Sequence, residues 1–138
     1  MGRGGHLAYV AMQHGDAQPT VLVVDHDVWE RKYTSDTLEN EGYAVMAASN
    51  GASALRLAEQ FTCDAILLDI ALPEMNGLEL MRVLKDMDRT SAIPVIVLGQ
   101  STAESVAVAG CVPKPLDGVR MISEVARCLQ AVPPTPRH

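Results

Sequence analysis

Asp64-Ala65-Ile66-Leu67-Leu68-Asp69 decides the fold. Four apolar residues in a row, with no polar alternation, describe a strand buried on both faces, which belongs in a parallel sheet covered by helices on either side. The run ends on a carboxylate, Asp69. A turn-rich stretch follows, Leu72-Pro73-Glu74-Met75-Asn76-Gly77, as a strand needs when it hands over to a helix.

Outward from that strand, short apolar runs alternate with helical periods. Thr20–Val24, Tyr43–Ala48, Ile93–Leu98 and a short piece around Cys111–Pro113 read as strands, and Pro94 is tolerable where a ladder donor is not needed. Val28–Glu41 is a helix that Asp27 can cap and Gly42 can stop, with Trp29, Tyr33 and Leu38 on one face. Ser49 or Asn50 can cap a second helix over Ala52–Gln60, striped by Ala54, Leu55 and Ala58. Leu78–Met87 is a third, through Leu80, Met81 and Leu84, and Leu116–Ala131 a last one, with Val119, Ile122, Val125 and Leu129 in register. This order predicts an α/β fold, a doubly wound parallel sheet with helices on both faces.

The two ends read differently. Residues 1–19 are rich in Gly, carry scattered His and show no period, so they read as a flexible leader. Residues 132–138 contain Pro133, Pro134 and Pro136, which stop a helix and favour extended chain, as in a tail or the start of a linker. One domain over residues 20–131 is expected between them.

Of the 138 residues, 48% are apolar, enough for one sizeable core. The formal charge of −6 argues against a phosphate-neutralising surface, so nucleic acid is not an expected partner. Cys63, Cys111 and Cys128 are odd in number, widely spaced and set among apolar residues, which reads as buried reduced thiols rather than a disulfide framework. No run approaches the length of a membrane span and no secretory pattern opens the chain, so a cytoplasmic protein without a membrane partner is expected.

In open parallel sheets, functional groups collect beyond the carboxyl ends of the strands. Asp25, Asp69 and Lys114 all fall at such ends. Singly, each has an ordinary reading as a capping carboxylate or a solvated lysine; the three together are a much rarer set. Here the chain resembles the response-regulator receiver family of two-component signalling. The resemblance is carried by Val21-Leu22-Val23-Val24-Asp25, the 64–69 strand, the 72–77 loop, Ile93-Pro94-Val95-Ile96-Val97-Leu98 and Lys114-Pro115.

The resemblance implies five parallel strands in the order 2-1-3-4-5. It implies that Asp69 accepts a phosphoryl group from a phosphohistidine on a sensor histidine kinase or phosphotransfer protein, the signal then passing to a downstream protein target. Asp25, Asp69 and the backbone carbonyl of Ala71 would hold Mg²⁺, with Asp27 as an auxiliary oxygen, because Mg²⁺ prefers oxygen ligands. Lys114 would contact the phosphate as a point charge, its bond to Pro115 being cis in this family, while Pro73 and Gly77 shape the loop after Asp69.

Several positions depart from the family pattern. His26 stands where a second acidic residue commonly ligates the metal, and imidazole is a poor partner for Mg²⁺, which implies a weakened metal site with His26 as a non-ligating residue at its rim, a transition-metal site being the alternative. Gly99 stands where a Thr or Ser normally meets the phosphoryl oxygen, and Ser101 or Thr102 would substitute only if the loop folded back. Fourteen residues, 100–113, separate Gly99 from Lys114, fewer than the family usually has, which implies a shortened or irregular fourth helix. The aromatic residue expected just before the lysine is absent, with Cys111 and Val112 in its place.

These departures keep a second reading open, a pseudo-receiver acting through phosphorylation-independent protein contacts. An aspartate-nucleophile phosphohydrolase is disfavoured because Asp69-Ile70-Ala71 lacks a second carboxylate two residues on. Neither a G-x-G-x-x-G nor a Walker-type loop occurs. The chain is thus expected not to be an enzyme, beyond phosphorylating and dephosphorylating its own Asp69.

Overall fold

The computed structural model describes residues 18–99 and 108–131. Five strands, β1 (Thr20–Val24), β2 (Ala44–Ala48), β3 (Ala65–Asp69), β4 (Val95–Leu98) and β5 (Gly110–Val112), form one sheet in the order β2-β1-β3-β4-β5. All four neighbouring pairs are parallel. The helices are α1 (Val28–Asn40), α2 (Gly51–Gln60), α3 (Gly77–Asp86) and α4 (Gly118–Ala131). The expected strand order and helical cover are therefore the observed ones. The expected fourth helix between β4 and β5, together with Ser101 and Thr102, falls in residues 100–107 and lies outside the described residues, as do most of the expected leader and all of the expected tail.

Strand alternation divides the core in two. Leu22, Val24, Ile66, Leu68, Val95 and Val97 face α2 and α3, where Ala54, Ala58, Leu80, Met81 and Leu84 cover them. Val21, Val23, Ala65, Leu67, Ile96 and Leu98 face the other way, beneath Leu38 of α1 and Met121, Val125 and Cys128 of α4. Each helix starts where a side chain can satisfy its free N–H groups. Asp27 accepts from Trp29 and Glu30 N–H, Asn50 from Ser53, and Asn76 from Glu79. Pro94 lies one residue outside β4 and still serves the ladder, its carbonyl accepting from Ile66 N–H at 3.0 Å.

Five expectations need correction. In α1 the buried residues are Thr34 and Leu38, while Trp29 is 77% exposed and Tyr33 is also exposed. A helix turns about 100° per residue, so once Thr34 and Leu38 face the sheet, Trp29 lies about 140° from the first and about 180° from the second. In α4, Met121, Val125 and Cys128 form the buried stripe, and Val119 is 81% exposed because it sits about 200° round the helix from Met121. Cys111 is only half-buried, unlike Cys63 and Cys128. β5 begins and ends one residue earlier than expected, and α4 begins at Gly118, with Asp117 Oδ1 accepting from Val119 N–H at 3.0 Å.

Candidate functional site

The carboxyl ends of β1, β3 and β5 bring one group each to the same edge of the sheet. Asp25 follows β1 directly, Asp69 is the last residue of β3, and Lys114 lies two residues beyond β5. Both aspartates are buried. Asp25 is pinned through its backbone, whose N–H donates to Ala48 O at 3.0 Å and whose carbonyl accepts from Arg31 Nη1 at 2.8 Å. Its Oδ1 accepts from Asp27 N–H at 2.9 Å. Asp69 Oδ1 accepts from Ala71 N–H at 3.0 Å, which folds the start of the next loop back over the carboxylate.

Lys114 Nζ lies 3.4 Å from Asp69 Oδ1 and 2.8 Å from Glu30 Oε1, and its peptide bond to Pro115 is cis. Burial works against the ammonium charge, but the Glu30, Asp69 and Asp25 carboxylates outweigh it and raise the lysine above its usual range. Glu30 has no motif of its own in the sequence. Its one signal is its place in the first turn of α1, three residues after the Asp27 cap, which swings it towards the strand ends.

His26 is the exposed member of the site, with Nδ1 3.6 Å from Asp69 Oδ2. Asp25, His26 and Asp69 each offer one ligand atom within 4.8 Å of the other two. Asp25 Oδ2 and Asp69 Oδ2 are buried and have no hydrogen-bond donor among the described residues. Buried oxygens without donors beside an imidazole suit a divalent cation, which would stabilise the paired carboxylates; the donor set fits a metal ion. Asp27 is placed otherwise, its Oδ1 taken by the N–H groups of Trp29 and Glu30, which hold its carboxyl below the usual range. Burial pushes Asp25 up to about 7, the N–H of Asp27 opposing and the charges of Asp69 and Glu30 adding to the rise.

The loop after Asp69 depends on Gly77. A Cβ there would stand 2.5 Å from Ile70 Cα and 2.9 Å from Asp69 O, so only glycine lets α3 begin so close to the site. At Gly99 the backbone has φ +111°, a conformation that side-chain-bearing residues rarely adopt. The residue after β4 therefore supplies no hydroxyl and also holds a backbone that disfavours one. Its carbonyl accepts from Cys111 Sγ at 3.0 Å.

The family described as the response regulator receiver domain matches this chain over residues 21–126. A polar-differentiation response regulator, DivK of Brucella anthropi, is 34% identical over 113 residues, 77% of this chain and 92% of that protein. Among solved structures, chemotaxis response regulator CheY4 of Vibrio cholerae superimposes with a TM-score of 0.76 at 26% identity, over 81% of this chain and 99% of that one. The receiver domain of a signal transduction histidine kinase from Syntrophus aciditrophicus gives 0.77 at 28% identity, over 87% and 96%.

Proposed function

The chain belongs to the response regulator receiver domain family, and on that footing we propose that it takes a phosphoryl group onto Asp69 from a phosphohistidine of a sensor kinase or phosphotransfer protein. The observation that carries this reading is the buried Asp69 carboxylate with an ammonium group 3.4 Å away and a second buried aspartate in the same cluster.

In the transfer, a carboxylate oxygen of Asp69 forms the new O–P bond as the P–N bond to the donor imidazole breaks, and the electron pair leaves with that nitrogen. The loose transition state asks mainly for positioning and neutralisation of charge. Ala71 N–H fixes Asp69 Oδ1 and so the orientation of the nucleophile. Lys114 supplies fixed positive charge beside it and exchanges contact with Asp69 for contact with the incoming phosphoryl oxygens. Glu30 positions that ammonium group from the far side. A divalent cation held by Asp25, His26 and Asp69, with the Ala71 carbonyl and water, would offset the repulsion between carboxylate and phosphoryl group.

Labelling with acetyl phosphate in the presence of divalent cations tests this reading. Wild-type protein should take up one phosphoryl group, and Asp69→Ala none; equal uptake by both would refute it. Gly99, which lacks a hydroxyl, favours a second reading, a pseudo-receiver that binds its partner without phosphorylation. In that case the wild type takes up no phosphoryl group and partner binding survives Asp69→Ala.

A further inference from the structure

We infer that the pocket formed by Asp25, His26 and Asp69 takes a first-row transition-metal dication such as Co²⁺, Mn²⁺ or Zn²⁺ in preference to Mg²⁺. This rests on the reading of the pocket as a receiver's cation site and concerns which cation it selects.

The argument begins with how His26 is held. Asp25 before it is tied to Ala48 through its backbone, and Asp27 after it donates to Asp25 Oδ1 and caps α1. These anchors hold the backbone of His26 at the rim of the pocket. Its Nδ1 stands 3.6 Å from Asp69 Oδ2, too far for a hydrogen bond but suited to two donors sharing an ion at about 2.1 Å from each. All three ligand atoms fall within 4.8 Å of one another, a spread that small side-chain rotations can close around an ion. The two donor-free buried oxygens are the independent sign of a ligand, since a buried carboxylate oxygen with no partner is costly unless something positive meets it.

The ligand chemistry then selects the ion. Mg²⁺ demands near-ideal octahedral oxygen coordination and gains little from imidazole nitrogen. Affinity for nitrogen-containing sites rises along the first-row transition series, so one imidazole beside two carboxylates moves the preference towards those ions.

Titration of the metal-free full-length chain with Co²⁺ and with Mg²⁺ by calorimetry, alongside the visible absorption of bound Co²⁺, tests the inference. Co²⁺ should bind at least about tenfold more tightly than Mg²⁺, and His26→Ala should weaken Co²⁺ by about 10- to 100-fold while leaving Mg²⁺ nearly unchanged. His26→Asp should strengthen Mg²⁺ binding and narrow the difference between the two ions. His6, His14 and His138 remain in all three proteins, so the differences report on His26 alone. Equal affinities for the two ions, or Co²⁺ binding indifferent to His26→Ala, would overturn the inference. Acetyl phosphate labelling in each metal is read separately. His26-dependent Co²⁺ selectivity without an Asp69 adduct upholds the inference and refutes the phosphoacceptor reading. An Asp69 adduct together with His26-independent binding does the reverse.

Discussion

At the scale of single residues, the energetics of the site centre on Asp25. Its carboxyl titrates near 3.8 in the unfolded chain and at about 7 when folded, because burial and the Asp69 and Glu30 charges disfavour ionisation. Between those values the folded chain binds more protons than the unfolded one, so the contribution of Asp25 to stability falls as pH rises from about 4 to about 7. Asp25→Asn keeps an oxygen for Asp27 N–H and removes the charge. The gain in stability should be larger at pH 8 than at pH 5 by on the order of 2 kcal/mol, measured by denaturant unfolding without added metal. An equal effect at both pH values would contradict the role given to ionisation. Asp25, Asp69 and Lys114 are legible in the sequence because each ends a recognisable strand. Glu30 is not, because its partner Lys114 lies 84 positions away and only the packing of α1 against the sheet brings them together.

At the scale of elements, the strand-to-helix connections fix where these groups stand. The β3–α3 loop closes through Gly77 N–H donating to Ile70 O at 3.0 Å, an approach that a side chain would block. Gly77→Ala should cost about 2 kcal/mol or more, since the obstacle is backbone rather than a flexible side chain, and it should slow acetyl phosphate labelling by displacing Asp69 O. A variant with wild-type stability and labelling would show the contact to be dispensable. The sequence locates this loop through Pro73 and Gly77 but says nothing of the 2.5 Å approach, which depends on how α3 docks. Gly99 is a related case. The missing hydroxyl is readable from residue identity, whereas the φ of +111° that disfavours its restoration is a property of the fold.

At the scale of the whole molecule, two cores on opposite faces of one sheet hold the strand ends in register. The apolar periods reveal the strands of the sheet, and the family resemblance implies their order, yet the periods assign Trp29 and Val119 to the interior, where the helices do not place them. Periodicity marks apolar positions without telling which of two overlapping stripes docks, and in α1 only Thr34 and Leu38 reach the buried side. Leu38→Ala should therefore cost about 2–5 kcal/mol. Trp29→Ala and Val119→Ala should stay within about 0.5 kcal/mol. Comparable losses at all three positions would refute the observed docking. The central claim is that the sheet gathers two aspartates and a lysine into a pocket where Asp69 accepts a phosphoryl group. Its most direct measurement is reductive trapping with borohydride after acetyl phosphate treatment in the presence of a divalent cation, followed by peptide mapping. An acyl phosphate on Asp69 would appear as homoserine at position 69 and be absent from a Lys114→Ala protein treated for the same time. An unmodified Asp69 in the wild type, or homoserine at another aspartate, would contradict it.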